Sequence, residues 1–167
     1  KPSSQADGPS KLIETPVHAQ KPLGQSSNKD QFVNAASLMA LAHNMILQGL
    51  NSICRHASQV FPKDYRAFIG YAYCRYQVIQ AHHDCEETVL FPIIKQQAGG
   101  KGIMNENIEQ HRAFKAGLEA YKLYLLFLST APQRFSRAHL DRIVDDLAPP
   151  LCEHPTRKTL YLLSLSR

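Results

Sequence analysis

Apolar residues recur about every 3.6 positions along most of the chain after residue 31, which is the period of an amphipathic helix. The first run comprises Leu38, Leu41, Ala42, Met45, Ile46, Gly49, Leu50 and Ile53. It predicts a first helix over about residues 34–58. A second run follows Phe61-Pro62-Lys63-Asp64, where proline breaks the pattern and aspartate can cap a helix. It predicts a long second helix over about residues 64–97, with a kink near Pro92.

Two later runs predict two more helices. The third helix begins near Asn105 and ends before Ala131-Pro132. The fourth begins near Ser136 and reaches Pro149-Pro150, where the prolyl pair is expected to break it, so that a separate turn or short helix starts at Leu151. Four helical segments joined by short loops, without the alternating pattern of strands, predict an all-α, up-down-up-down four-helix bundle.

The N-terminal part of the chain has a different composition. Residues 1–31 are rich in Ser, Pro, Gly, Gln and Lys and show no sustained apolar period, which predicts a mostly irregular arm. Its one apolar patch, Leu12, Ile13 and Val17, could dock on the bundle. The remaining residues, 32–167, are enough for one bundle domain with a single core.

Composition and charge exclude several classes of protein. Hydrophobic residues make up 44% of the chain and charged residues 20%, as in soluble globular proteins. The net charge is +5, but the basic residues are scattered, and even Arg157 and Lys158 form too small a patch to indicate nucleic-acid binding. No apolar run approaches the length of a membrane span, and no signal-like pattern opens the chain, so we expect a cytoplasmic protein without a membrane partner.

The cysteines do not form a recognisable site. They lie far apart without a Cys-x-x-Cys pair, which favours free thiols in a reducing compartment over a zinc or redox motif. They are Cys54, Cys74, Cys85 and Cys152.

Two His-x-x-x-Glu pairs overlap in the second predicted helix. His82 lies one turn from Glu86, and His83 lies one turn from Glu87, so either pair can present an imidazole and a carboxylate to one metal ion. A single pair of this kind is more often a solvent-exposed ion pair. Helical phase favours His82 and Glu86 as the inward pair, with His83 and Glu87 beside them as supporting groups or as a solvated pair. The phase is taken from the apolar positions Val78, Ile79, Val89, Leu90 and Ile93.

Two further histidines interrupt apolar stripes on other helices. His43 stands between Leu41 and Met45 in the first helix, and His111 stands between Ile108 and Phe114 in the third. Each alone would more often be a hydrogen-bonded core histidine than a ligand. Three helices that each place a histidine towards the core favour a metal site, because bundle interiors hold di-metal sites built from histidine and carboxylate.

These motifs carry a resemblance to a known family. They are Ala42-His43-Asn44 with Gly49-Leu50-Asn51, His82-His83-Asp84-Cys85-Glu86-Glu87 running into Leu90-Phe91-Pro92, Glu109-Gln110-His111 with Phe114 and Leu118, and Ala148-Pro149-Pro150-Leu151 with His154. Over about residues 32–165 the chain resembles the hemerythrin HHE-type cation-binding family, particularly its fungal members. The resemblance implies a four-helix bundle with an oxo- or hydroxo-bridged di-iron centre. The ligands it implies are His43, His82, Glu86, His111 and His154.

Two positions depart from the family pattern. Some relatives have a second histidine four residues before the one that matches His111, and here that residue is Asn107. The family usually has a carboxylate four residues after its last histidine, and here that residue is Lys158. Pro155 also disfavours a helical conformation for His154. A mononuclear, an asymmetric and an empty site therefore stay open beside the di-iron one.

The donor set permits several metals and several functions. Imidazoles with one carboxylate suit iron, manganese or zinc, and the resemblance implies iron, while Cys85 points off the ligand row. One hypothesis is an iron protein that binds or senses O2 or iron. A second is a non-haem iron enzyme that oxidises or rearranges a small organic molecule, since a missing protein ligand leaves room for substrate. A third is a metal-free bundle that serves as an interaction scaffold. Substrate, enzymatic activity and oligomeric state are left open by the sequence.

Overall fold

The computed structural model describes residues 9–13, 28–98 and 104–164. No β-strand occurs in these ranges, and the chain forms an all-α bundle as the sequence predicts. A π-helical turn, Glu86–Leu90, joins the second and third helices into one long rod, which leaves four rods in all. The helices are α1 (Asn28–Ala57), α2 (Tyr65–Cys85), α3 (Phe91–Ala98), α4 (Asn105–Thr130) and α5 (Arg137–Ser164).

A single apolar core runs along the bundle. Helix α5 packs against both α1 and α4, and α4 also packs against α2. Leu50, Tyr121 and Leu147, from three of the rods, are at most 1% exposed. Burying a side chain of this size stabilises the fold by about 1.5–3 kcal/mol. The Tyr121 hydroxyl donates to the Ala72 carbonyl at 3.3 Å, so its polar end is also satisfied inside the core.

The buried row of α1 differs from the row that periodicity predicts. Leu38, Leu41 and Met45 are 64%, 55% and 48% exposed. The buried row includes Ala36, Ala40, His43, Leu47 and Leu50, so small residues face inward in the first half of the helix and large ones in the second half. In its first half, the predicted apolar stripe therefore lies on a different face of α1 from the buried row. The periodicity of apolar residues takes no account of their size, so it cannot distinguish an inward alanine from an outward leucine. His43 lies in the middle of the buried row.

The irregularity predicted near Pro92 lies just before that residue. The N–H of Phe91 bonds to the carbonyl of Glu86, five residues earlier, where an α-helix would use the residue four earlier. Proline has no N–H to donate and its ring crowds the carbonyl four residues before it, so a wider turn relieves the strain. The buried row consequently resumes at Phe91 and Ile94. The expectation that Val89 and Ile93 are buried was wrong, since each side chain is 50% exposed.

Helix α5 does not break at its prolines. The prediction of a separate segment from Leu151 was wrong, because α5 continues through Pro149-Pro150 and Pro155 to Ser164. Leu147, Leu151 and His154 have no exposed surface, so packing against α1 and α4 holds the helix on both sides of the prolyl pair. This packing outweighs the backbone hydrogen bonds that proline cannot make. The inference that Pro155 keeps His154 out of a helix was wrong for the same reason.

Residues 9–13 form a short strap on α1. Asn51 accepts the Ser10 N–H and donates to the Ser10 carbonyl, both at 2.8 Å. Asn44 likewise accepts the Ile13 N–H at 2.7 Å and donates to the Ile13 carbonyl at 2.9 Å. Seven helical residues rise about 10.5 Å, which three nearly extended residues also span, so the two asparagines match the strap in spacing. Ile13 thus docks on the bundle, while Val17 of the same predicted patch lies outside the described residues.

Within the described ranges, no helix is both long and apolar enough to pass through a lipid bilayer.

Candidate metal centre

All four rods contribute to one cluster of imidazoles around a buried carboxylate. His43 comes from α1, His82 and His83 from α2, His111 from α4 and His154 from α5. The carboxylate is that of Glu86, the first residue of the π-helical turn, and it is 2% exposed. His43, His111 and His154 are also buried. The structure thus brings together the five residues that the sequence singles out as ligands.

One oxygen of Glu86 faces a first pair of imidazoles. His82 Nε2 lies 3.1 Å from Glu86 Oε1 and 3.2 Å from His43 Nε2. His43 Nε2 lies 3.8 Å from the same oxygen. These three atoms form the first half of the cluster.

The other oxygen of Glu86 faces a second pair. His111 Nε2 lies 3.1 Å from Glu86 Oε2 and 3.1 Å from His154 Nε2. His154 Nε2 lies 3.6 Å from the same oxygen. The carboxylate therefore stands between two pairs of imidazoles, with one oxygen on each side.

The outer nitrogens of three rings show which ring atom carries the proton. His43 Nδ1 bonds to the Met39 carbonyl at 2.7 Å, His111 Nδ1 to Glu87 Oε1 at 2.7 Å, and His154 Nδ1 to Gln110 Oε1 at 3.0 Å. A carbonyl, a carboxylate and an amide oxygen only accept, so each Nδ1 donates its proton. In the neutral rings, Nε2 then presents a lone pair to the cluster interior. Such outer acceptors orient histidines in metal sites.

The inner distances fit metal coordination. Lone pairs about 3 Å apart repel one another in a buried site unless a proton or a metal ion lies between them. Two ligand nitrogens that each lie about 2.0–2.1 Å from one ion, at angles of roughly 90–110°, are about 2.8–3.4 Å apart. The Nε2–Nε2 separations of 3.2 and 3.1 Å fall in this range. The donors present therefore suit a cation in each half of the cluster.

His83 lies inside the cluster rather than beside it. Its side chain is 5% exposed, and neither ring nitrogen has a hydrogen-bond partner in the structure. Burial, with the neighbouring His111 imidazole, lowers the pKa of His83 to about 2, so the ring is neutral near pH 7. The alternative of a solvated His83–Glu87 pair was wrong, because Glu87 alone is exposed, at 48%, and bonds to His111.

Of the two residues that depart from the family pattern, Asn107 is described with its side chain, whereas Lys158 is described only by its backbone. Asn107 is 3% exposed and its Oδ1 has no hydrogen-bond partner in the structure. It lies on α4 one turn before His111. The side chain of Lys158 lies outside the described residues, although its backbone belongs to α5.

Sequence reasoning missed the supporting residues of the cluster. Gln110 carries no signal of its own, since an amide beside a histidine is common in helices. The Met39 carbonyl is invisible in any sequence. The sequence signal for His83 is the His82-His83 doublet, which offers two imidazoles. The helical phase placed His83 beside the inward row, because that phase was extended through Pro92 as a regular α-helix.

Three surface cavities, of about 770, 550 and 320 Å³, are lined by residues outside the cluster. The largest lies between α1 and α5 beside the strap, and Cys54 and Cys152 are among its lining residues. All four cysteines are free thiols.

Comparisons with known proteins identify the family of the chain. The family model of the hemerythrin HHE cation-binding domain matches residues 34–154. The chain is also 30% identical over 161 residues to a dimeric xanthone biosynthesis cluster protein from Cryptosporiopsis sp. (strain 8999). That alignment covers 96% of this chain and 59% of the relative, so the chain spans about three fifths of the relative's length. No solved structure matches the chain.

Proposed function

The chain belongs to the hemerythrin HHE cation-binding family, and we propose that its cluster binds two iron ions with the Glu86 carboxylate between them. His43, His82 and Glu86 Oε1 would hold one ion. His111, His154 and Glu86 Oε2 would hold the other. The observation that carries the proposal is the arrangement of inward Nε2 atoms in two pairs, one at each oxygen of a single buried carboxylate.

Neutral imidazoles with a carboxylate are suitable ligands for iron, and manganese and zinc are the other candidates. The family makes iron the first choice. Each half offers two nitrogens and one oxygen, which leaves coordination positions for an exogenous ligand. A bound iron pair supplies O2 binding and one-electron chemistry. The protein's own part is to fix the imidazoles through their Nδ1 acceptors and to exclude bulk water by burial.

Binding or sensing of O2 or iron is the function this arrangement supports best. It needs the buried cluster and a small exogenous ligand, and it needs no cavity for an organic substrate.

A second candidate is a metal-dependent enzyme that acts on a small organic molecule. It is favoured by the name of the relative, a protein of a xanthone biosynthesis cluster. The open positions left by three protein donors per ion are compatible with a substrate. A metal-free scaffold is disfavoured, because converging lone pairs would then be buried without a cation.

Metal content tests the proposal. After anaerobic Fe(II) loading and desalting, the wild-type chain is expected to retain about two irons, as in other bundle-held di-metal sites. Glu86→Leu removes both central oxygens and should retain almost none. Glu109→Leu, at an exposed glutamate of α4, is the matched control and should behave as wild type.

Absorption after exposure to air is the second readout, because an oxygen-dependent band ties the retained iron to the proposed chemistry. A wild-type chain that retains no iron would overturn the proposal. Equal retention by Glu86→Leu and wild type would overturn the assignment to this cluster. Conversion of an organic substrate only by the iron-loaded chain would favour the enzyme.

A further inference from the structure

His83 has no role in the two halves defined above, yet it is buried in their midst. The ring is 5% exposed, and both of its nitrogens lack a hydrogen-bond partner in the structure. Buried polar side chains are nearly always hydrogen-bonded, because leaving such an atom without a partner destabilises the fold. An unpaired imidazole at the centre of a metal cluster therefore indicates a missing partner.

The neighbours of His83 are mostly imidazoles. Its ring centroid lies 4.7 Å from that of His111, 5.2 Å from that of the adjacent His82 and 5.6 Å from that of His154. The distance to His43, in the other half, is larger at 6.3 Å. One ligand atom from each of four residues fits within a mutual separation of 4.8 Å, and the four are His43, His83, Glu86 and His154. His83 is thus within reach of the centre and closest to the His111 ring.

Packing alone does not require an imidazole at this position. Within the described ranges, Phe114 is the hydrocarbon ring that packs against His83, at 4.5 Å between centroids. A phenylalanine at position 83 could make the same contact without burying two unpaired nitrogens. The histidine is therefore better explained by its nitrogens than by its shape.

We propose that His83 donates a ring nitrogen to the metal ion held by His111, His154 and Glu86, as a further protein ligand. This assignment rests on the proposed function. It makes the centre asymmetric, with three imidazoles in that half and two in the half of His43 and His82. The half with fewer protein ligands is then the one that offers more open positions to a small exogenous molecule.

Cobalt(II) titration of the metal-free full-length chain tests the assignment, because the visible spectrum of bound Co(II) reports the number and type of its ligands. His83→Phe keeps the ring and the Phe114 contact but removes the nitrogens. We expect it to bind one Co(II) as wild type does and to bind the second about 10-fold or more weakly. His139→Phe, at an exposed histidine that also contacts an aromatic ring, is the control and should match wild type.

A second variant gives a positive signal. His83→Cys replaces the imidazole with a thiol, and a thiolate bound to Co(II) produces a near-ultraviolet charge-transfer band that wild type lacks. The band is expected if position 83 reaches the metal. It also decides the matter if His83→Phe fails to fold.

The outcomes separate this inference from the proposed function. Two Co(II) ions in wild type, with unchanged affinities in His83→Phe or no new band in His83→Cys, would overturn the role of His83 and leave the proposed function standing. A wild-type chain that binds no Co(II) and no Fe(II) would overturn both.

Discussion

Three imidazoles of the cluster are held by three different acceptors, a backbone carbonyl, a carboxylate and a side-chain amide. The carbonyl of Met39 is one turn before His43 on α1, so helix geometry alone orients that ring. Glu87 reaches His111 from the neighbouring rod, and Gln110 reaches His154 across the α4–α5 contact. The rings are thus oriented by the bundle before any cation binds.

Removal of one acceptor should weaken metal binding without removing a ligand. Glu87→Ala leaves the His111 Nδ1 proton without its acceptor, so the ring is less basic and less well oriented. Loss of such an outer hydrogen bond typically lowers metal affinity by about 10–100-fold. Competition with a chromophoric chelator measures this affinity. Glu119→Ala, at an exposed glutamate of α4, is the control, and equal affinities in the two variants would contradict the orienting role of Glu87.

The four thiols should fall into two classes of reactivity. Burial raises the pKa of the Cys54 and Cys152 thiols, whereas Cys74 and Cys85 are exposed. A raised pKa means a smaller thiolate fraction at pH 8, and the thiolate is the reactive form. Titration of the native chain with a disulfide reagent is expected to show two fast and two slow thiols. A single rate for all four would contradict the described burial.

At the scale of elements, close approach of α4 and α5 depends on Gly117. A Cβ at this position would lie 3.2 Å from Leu147 Cα and 3.3 Å from Leu147 Cβ, closer than these atoms normally approach. Since the nearest atom belongs to backbone, the two helices would have to separate.

Gly117→Ala is expected to lower the free energy of unfolding by up to about 2 kcal/mol, because overpacking costs about 1–3 kcal/mol and the higher helix propensity of alanine offsets about 1 kcal/mol of it. Gly70→Ala is the matched comparison, because a Cβ there meets nothing within 4 Å and alanine favours helix by about 1 kcal/mol. Urea unfolding followed by circular dichroism measures both. Equal stabilisation by the two substitutions would show that α4 and α5 are not in such close contact.

The strap is the other element whose contribution can be measured. Asn51→Ala leaves the buried N–H and carbonyl of Ser10 without partners, which we expect to cost about 1–3 kcal/mol of unfolding free energy. Gln48→Ala, at an exposed position of the same helix, should change it by less than about 0.5 kcal/mol. The difference between the two midpoints in urea gives the contribution. Indistinguishable midpoints would mean that the strap adds nothing to stability.

For the individual helices, apolar periodicity predicted their positions along the chain more accurately than the faces that they bury. The four rods and the end of α4 before Ala131-Pro132 follow from the apolar pattern and its breaks. The burial of Ile93 was mispredicted because the π-helical turn adds a residue that the regular period does not contain. The break at Pro149-Pro150 was mispredicted because tertiary packing, which no local rule includes, keeps α5 helical.

At the scale of the whole molecule, all four rods meet through polar side chains at the candidate site. The apolar pattern pointed to His43, His82, Glu86 and His111, because imidazoles that interrupt three apolar stripes need a common explanation, and the family resemblance added His154. Their role as ligands stays a prediction, as does the division into an arm over 1–31 and a bundle over 32–167. What the sequence could not give is their pairing at the two oxygens of Glu86, which depends on how the rods pack.

Anomalous diffraction at the iron edge, from crystals of the iron-loaded chain, tests the central claim most directly. The account predicts two peaks, one beside each oxygen of Glu86, with a separation of about 3.5–4 Å as in other two-metal sites. One peak should lie next to His43 and His82, and the other next to His111 and His154. A single peak, or peaks remote from Glu86 in crystals that contain iron, would contradict it.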